Sequence, residues 1–358
     1  MNIIYFSPIP YDGLRQRPQY IAEGLSQKHH VYYIEPTVRL TSCLMNRGTD
    51  YKGRVHQVSP TLDVVRCNGT FVLPFKWNVY DLFSLNGIAE RIYLNDIIKK
   101  ADYIIVGFEG WMNVLSWVHN KKIVYDKMDD NTKITPEWPR RKYLERCEKK
   151  LWKRVWGAIV TAQKFYEEHK EQLANIHLVP NGVDLECDDI KEGAKANDEK
   201  VYGYVGMLEE WFDMEIVKAI AGIKGNRVIL VGPCNIEKYQ TENVVYTGRV
   251  EKKEVANMIQ TFDVCLYPFK KSDWLDTINP VKIYEYLAMN KPVIAVDSLE
   301  TRGFGERVYR YKDKEELEKL CKKDLLPPFK NKDECDRFIK ENSWKNRVEQ
   351  ILNILEEK

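Results

Sequence analysis

Short apolar runs that alternate with amphipathic stretches, twice over, constrain the fold of this 358-residue chain more than any other feature. In the first half the runs fall at residues 2–6, 31–34, 103–106, 122–125 and 158–161, each bounded by turn formers, which predicts buried strands. Helical spacing lies between them. Tyr20, Ile21 and Leu25 follow Pro18, which suits a first helical turn, and Leu94, Ile97 and Ile98 repeat at i, i+3 and i+4. Helices are expected over 86–99, 138–156 and 165–174, with two weaker strands at 55–58 and 62–66 and an aromatic loop at 71–77. The strand at 158–161 is expected to end this half's alternation. Pro180-Asn181-Gly182 then marks a sharp turn, and residues 186–200 are polar and almost free of apolar side chains, as an interdomain connection would be. A second alternation runs from 201 to 297, and 344–355 reads as an amphipathic helix. The pattern predicts two α/β domains with parallel sheets. Their bounds are set at 1–182 and 183–342, with 343–358 as a closing helix.

Composition removes several function classes. A formal net charge of +2 gives no argument for nucleic acid as a partner. The eight Cys show no Cys-x-x-Cys spacing, and the six His show no metal-ligand or triad spacing, so no metal is expected. No apolar run approaches the roughly 20 residues that span a bilayer. With no signal peptide evident, reduced thiols and a cytoplasmic location are expected.

In open parallel sheets ligands bind outside the carboxyl ends of the strands. That rule selects residues 7–17, 107–113 and 126–131 in the first half, and 206–213, 232–235, 268–280 and the helix after them in the second. Within these loops Gly206 permits close backbone approach to a phosphate, although no G-x-G-x-x-G is present. Arg249, in Thr-Gly-Arg after a strand, fits either a nucleotide contact or a solvated surface. Asp126, Asp129 and Asp130 cluster at a strand end; mutual repulsion or burial would raise one of them into the range of a general base, and the alternative is a turn or helix cap. Glu109 is a second candidate base. Gly13, Arg15 and Arg17 lie in the first loop, where the arginines fit an anionic acceptor or a structural role.

Residues 279–297 hold the densest signal. Asn279-Pro280 opens a helix, with Ile283, Tyr286 and Leu287 sharing one face and Lys282 and Glu285 another. Asn290 reads as its C-cap, Lys291 suits its negative end, and Pro292 stops it before an apolar strand. A helix N-terminus with a cation and a carboxylate beside it suits a phosphate and hydroxyls. A plain surface Lys–Glu pair is the alternative.

Taken together, Val-Pro-Asn-Gly-Val-Asp (179–184), Tyr-Val-Gly (204–206), Thr-Gly-Arg-Val (247–250), Phe-Asp-Val-Cys-Leu-Tyr-Pro (262–268) and Asn-Pro-Val-Lys-Ile-Tyr-Glu-Tyr-Leu-Ala-Met-Asn-Lys-Pro-Val-Ile (279–294) resemble GT-B glycosyltransferases. Arg-x-Arg-Pro-Gln (15–19) and Tyr-Asp-x-Met-Asp-Asp (125–130) resemble the bacterial branch that makes teichuronic acid and other surface polysaccharides. The resemblance implies two Rossmann-like domains facing an interdomain cleft, with a nucleotide-diphosphate sugar held by the second and the acceptor by the first. By this likeness the donor set is Gly206, Arg249, Asn279, Pro280, Lys282, Tyr284 and Glu285. Glu285 would take the ribose hydroxyls, and Lys282 and Arg249 would offset diphosphate charge. Gly13, Arg15 and Arg17 form the acceptor set; Asp129, Asp130 and Glu109 the catalytic set. The closing helix would cross back to the first domain.

The implied activity is that of a metal-independent hexosyltransferase with no cofactor, which moves a sugar to a glycan or lipid-linked glycan. One position departs from the family pattern. Many retaining members carry two glutamates eight positions apart, and Thr277 stands where the first would be, with Asp276 out of register. The usual first-domain histidine of retaining relatives is also not evident. The stereochemical outcome therefore stays open: Asp129 or Asp130 as base in an inverting reaction, or as acceptor-orienting groups in a retaining one. Two rival readings are a sugar-nucleotide epimerase or hydrolase of the same architecture, and a non-catalytic nucleotide-sugar-binding subunit. Peripheral contact with the inner face of the plasma membrane is a further expectation, resting on Lys76, Trp77, Trp138, Arg140 and Arg141.

Overall fold

The computed structural model describes residues 1–37, 55–67, 85–184 and 199–357. The chain divides into two compact units, Met1–Pro180 with Arg347–Lys358, and Asn181–Asn346. The divisions fall two and four residues from the 182/183 and 342/343 boundaries expected above. Lys76, Trp77, the 71–77 loop and most of the polar 186–200 connection lie outside the described residues.

Unit 1 is built on β1 (Asn2–Phe6), β2 (His30–Ile34), β3 (Val55–Ser59), β4 (Leu62–Val65), β5 (Tyr103–Val106), β6 (Lys122–Lys127), β7 (Gly157–Val160) and β8 (Ile176–Leu178). They form one sheet in the order β3-β4-β2-β1-β5-β6-β7-β8, parallel throughout except for the β3–β4 hairpin. Its helices are α1 (Arg17–Ser26), α2 (Leu85–Lys100), α3 (Met112–Leu115), α4 (Asn131–Ile134), α5 (Trp138–Trp152) and α6 (Gln163–His169). Side chains alternate across a strand, so β1 sends Ile3 and Tyr5 to one face and Ile4 and Phe6 to the other. The first face packs against Ile21 and Leu25 of α1, the second against Leu94, Met112, Cys147 and Phe165 from α2, α3, α5 and α6.

Two differences from the sequence reading matter. The strand at 158–161 does not end the alternation: Ile176–Leu178 adds β8 at the sheet edge. And β6 continues through Asp126 and Lys127, because both polar side chains find partners inside the protein.

Unit 2 carries β9 (Lys200–Val205), α7 (Met214–Ala221), β10 (Asn226–Val231), β11 (Val244–Gly248), α8 (Lys252–Gln260), β12 (Val264–Tyr267), α9 (Val281–Ala288), β13 (Val293–Val296), α10 (Leu299–Arg302), β14 (Tyr309–Tyr311), α11 (Lys314–Cys321) and α12 (Lys332–Glu341). Its sheet runs β11-β10-β9-β12-β13-β14, all parallel. The segment from α10 to α12 adds elements that the apolar pattern of the sequence does not predict.

The last helix, α13 (Trp344–Glu356), starts in unit 2 and continues into unit 1, where Val348, Ile351, Leu352 and Leu355 join the core beside α1. Gly24 makes this packing close: a Cβ there would lie 2.4 Å from Val348 Cγ2. Among the described residues no helix is long and apolar enough to cross a membrane.

Candidate functional site

In each unit the strand order reverses direction at one place, and that is where a parallel sheet opens a crevice. In unit 2 it lies between β9 and β12. The loops that leave these two strands are tied together: Asp213 N donates to Pro268 O at 2.8 Å, Lys270 N to Trp211 O at 2.8 Å, and Phe212 pairs with Phe269. Trp211 and Trp274 lie 5.2 Å apart over the same loops.

Three glycines close the carboxyl ends of β9, β10 and β11. Gly206 N donates to Val231 O at 2.8 Å, and Gly232 N to Gly248 O at 2.9 Å. Gly232 has φ +135°, and a Cβ on it would lie 2.0 Å from the Gly206 carbonyl oxygen, so no other residue fits. The result is a stretch of bare backbone across three strand ends. Arg249, the next residue after this stretch, is exposed and has no ion-pair partner among the described residues. Strand spacing puts it roughly 14 Å across the sheet from β12.

Helix α9 begins beside β12. Ile283, Tyr286 and Leu287 are fully buried, as their spacing predicts. Val205 N donates to the Tyr286 hydroxyl at 2.9 Å, which pins the helix to the last residue of β9. No side chain caps the N-terminus of α9; Ile283 N donates to Pro280 O at 3.0 Å, and the Val281 and Lys282 amides before it are left for solvent or an anion. Lys282 and Glu285 pair at 2.9 Å on its part-exposed face.

Other members of the expected donor set hold the loop instead of facing outward. Asn279 accepts from Asn181 N at 2.8 Å and donates to Glu300 at 3.1 Å, and Pro280 is buried at the N-cap. Tyr284 packs between Phe304 and Phe338, in the manner of a core residue. Thr277 is buried and its hydroxyl donates to Trp274 O at 2.6 Å, while Asp276 accepts from Leu299 N at the start of α10.

The reversal in unit 1 lies between β1 and β5. Gly107, at the end of β5, is crowded: a Cβ would lie 3.1 Å from both Pro8 and the Tyr5 hydroxyl. Asp126 is fully buried, accepting from Tyr5 at 2.6 Å and pairing with Arg17 at 2.9 Å. Arg17 also donates to the carbonyls of Val179 and Pro180. Arg17 is thus a buried brace among α1, β6 and the residues after β8, and of the two arginines only Arg15 is exposed. Arg15 pairs with Glu23 and lies 4.4 Å over the Tyr20 ring, while Gly13 turns the loop at φ +129°.

The acids differ sharply in surroundings. Asp130 caps α4 by accepting from Thr132 N and Thr132 Oγ1. Burial pushes its carboxyl up, but the Thr132 bonds and the charges of Lys127 and Lys133 outweigh that and hold it below the usual range. Both its lone-pair directions and its low proton affinity suit a cap better than a base. Asp129 as a residue presents surface to solvent, yet the protein around its carboxyl raises its proton affinity, by desolvation first and then by the charges of Asp130 and Asp126, against Lys127 and Arg17.

Glu109 is fully buried. Its Oε2 accepts from Asn131 at 2.9 Å, and its Oε1 has no hydrogen-bond partner. Burial raises its carboxyl to about 7 against the opposing charge of Lys127. Lys127 is itself buried; burial favours losing its proton, and Glu148 at 2.5 Å together with Glu109 keeps it charged. Among the described residues no three His, Cys, Asp or Glu gather as a metal site.

Residues 199–318 match the family model for Glycosyl transferases group 1. The match covers about a third of the chain and lies wholly within unit 2. It contains the three glycines, Arg249 and all of α9. The chain is 25% identical over 235 residues to the teichuronic acid biosynthesis glycosyltransferase TuaH of Bacillus subtilis (strain 168). That match spans 58% of this chain and 58% of TuaH.

Two solved structures have the same architecture. Sucrose-phosphate synthase from Thermosynechococcus elongatus superposes with a TM-score of 0.70 at 15% identity, over 99% of this chain and 98% of that one. Anabaena HepE, solved with UDP and glucose, superposes at 0.63 and 11% identity, over 99% of each chain. The two parallel α/β domains are those of the GT-B fold.

Some of the site residues have no sequence signal of their own. Tyr286 is placed by helical spacing as core, and nothing predicts that its hydroxyl holds β9. Glu300 carries no motif; only the Asn279-Pro280 pair hints at a fixed turn nearby.

Proposed function

We propose that the protein is a glycosyltransferase that moves a sugar from a nucleotide-diphosphate sugar to a glycan or lipid-linked glycan acceptor, in the synthesis of a surface polysaccharide. One observation carries this reading: the N-terminus of α9, which no side chain caps, starts with Lys282 and Glu285 on its open face beside the reversal point of a sheet whose sequence matches the model for Glycosyl transferases group 1. In the resting protein the Lys282–Glu285 pair satisfies both charges. A bound donor would replace it, with Lys282 turning to the diphosphate and Glu285 to the ribose hydroxyls. The glycine stretch lets the donor approach the backbone, and Arg249 supplies a second cation.

The sugar is read as a hexose, and transfer as metal-independent, because these two cations and the helix N-terminus offset the leaving diphosphate. No resident cofactor is proposed. On the acceptor side Asp129 is the favoured carboxylate, since it alone of the acids named is exposed. A cytoplasmic site of action, at the inner membrane face, suits an acceptor carried on lipid. The TuaH likeness supports the polymer class of the acceptor.

The test is a thermal-shift panel of UDP-, GDP-, dTDP- and CDP-linked sugars, followed by transfer assays with the one that binds. A bound donor raises the melting temperature by an amount that grows with the logarithm of its excess over Kd. Glu285→Ala is expected to weaken donor binding roughly tenfold or more, the loss of one charge-assisted contact. Because the Lys282–Glu285 pair is part-exposed, that variant is expected to lose less than about 1 kcal/mol of stability. Full donor affinity in Glu285→Ala would sink the assignment. Turnover of donor with no acceptor present would favour an epimerase or hydrolase, and binding without turnover over an acceptor panel would favour a binding subunit. Transfer that persists undiminished in EDTA is the expected result for metal independence.

A further inference from the structure

Helices α2, α3 and α5 cover one face of the unit 1 sheet, and their outer surface carries cations and exposed apolar side chains together. The inward side of α5 is Leu144, Cys147 and Leu151, all buried. The opposite side, by helical spacing, presents Trp138, Lys142, Arg146, Lys149 and Lys153, with Glu145 alone against them. Lys142 pairs with Glu145 at 2.7 Å. Arg146, Lys149 and Lys153 are exposed and have no ion-pair partner among the described residues. In a chain whose formal net charge is +2, this is a strong local concentration of unpaired positive charge.

Exposed apolar side chains stand at both ends of this basic strip. At the start of α5, Trp138 is 60% exposed and Ile134, at the end of α4, is 45% exposed. At the far end, Arg154 donates to the Val118 carbonyl, which brings Trp117 there, itself 47% exposed. Arg91 of α2 lies 4.9 Å over the Trp117 ring, and the next residue, Ile92, is 74% exposed. The two apolar ends are separated by roughly 20 Å of helix.

We infer that this face docks on an anionic lipid bilayer, with the indoles and isoleucines entering the interface and the cations between them facing lipid headgroups. Three features favour lipid over a soluble polyanion. Indole rings prefer the headgroup level of a bilayer. Ile92 and Ile134 give nothing to a phosphate backbone and gain from apolar burial. And lysine and arginine stems bury their methylenes while their charges stay in water. The inference deepens the proposed function and rests on it for its purpose: Ile134 and Trp138 follow Asp129 by a few residues, so a lipid-carried acceptor would arrive beside that loop.

The experiment is flotation of the full chain with phosphatidylcholine vesicles holding roughly one part in three phosphatidylglycerol, at low and high salt. Tryptophan fluorescence and a donor thermal shift are read on the same samples. Binding at low salt with a blue-shifted emission is expected. The Arg146→Glu/Lys149→Glu double variant is expected to bind at least tenfold more weakly. Trp138→Ala is expected to reduce both binding and the blue shift. Retained donor thermal shifts in these variants show that they fold, and that vesicle binding is lost independently of the donor site. No binding to anionic vesicles overturns the inference. So does binding that both variants leave intact, or equal binding to soluble heparin without a spectral change. If the donor shift is absent while vesicle binding stands, it is the glycosyltransferase reading that fails.

Discussion

Glu109 carries its carboxyl into the core with one oxygen bound by Asn131 and the other bound by nothing. Its proton affinity is raised to about 7, against 4.5 for a free glutamate. The folded protein therefore holds a proton that the unfolded chain has released between these values. Stability from this group is present at low pH and is lost as pH rises through that window. Each pKa unit is worth about 1.4 kcal/mol, and the side chain is fully buried, so the loss is on the order of 3 kcal/mol. Glu109→Gln keeps the acceptor for Asn131 and removes the titration. Urea unfolding is expected to show the variant gaining about 2–3 kcal/mol on the wild type between pH 5 and pH 8; parallel pH profiles would refute it. Such burial is invisible in the sequence, where Glu109 reads as one more strand-end acid. The same holds for Arg17, whose partner Asp126 lies 109 positions away. Asp130 is a different case, since a cap was legible beside a base, and the Asp-Asn-Thr stretch already carried the cap's signature.

Helix α9 shows what local sequence does fix. Its apolar face, its Pro280 start and its stop near Asn290 all follow from spacing and backbone chemistry. The stop comes one residue earlier than expected: Met289 is the C-cap, and Asn290 is the residue beyond it, at φ +51°. Asn290 N donates to Leu287 O and Lys291 N to Tyr286 O, the paired bonds of a Schellman turn. The Asn290 side chain also bridges both ways to the backbone of Phe329. Asn290→Gly keeps the turn and loses the bridge, at about 1–2 kcal/mol; Asn290→Ala adds roughly 1 kcal/mol of left-handed strain. Denaturation of the two variants is expected to rank Ala below Gly; since both lose the bridge, the opposite order would show that left-handed strain does not govern this end. Lys291 was legible only as a cation at a helix end. The end it serves is that of α8 and the residues just past it, through the carbonyls of Gln260 and Phe262. Pairings of this kind join elements far apart in sequence, as does β8, whose three residues around His177 carry too little apolar pattern to read as a strand.

At the scale of the whole molecule, the two rounds of alternation were enough to give two parallel sheets, because each strand end and helix face repeats the same simple rule. What repetition does not encode is that the first core is completed from the far end of the chain. Val348, Ile351, Leu352 and Leu355 are buried against α1. Each such side chain is worth about 1.5–3 kcal/mol when fully buried, and a domain's whole stability is about 5–15 kcal/mol. A chain ended at Asn346 is therefore expected to leave unit 1 open to limited proteolysis while residues 181–346 persist as a resistant fragment; equal resistance of both units would refute this. The close seat that Gly24 leaves for Val348 has a consequence for biosynthesis. On the ribosome the first-made unit must wait, with the part of one sheet face beside α1 uncovered, until the second has been synthesised. Every strand of the later unit is complete before Arg347 is added, so unit 2 can finish folding first. For that interval the newborn protein exposes the apolar groove between α1 and its sheet, which makes it a client for chaperones that unit 2 alone would not need.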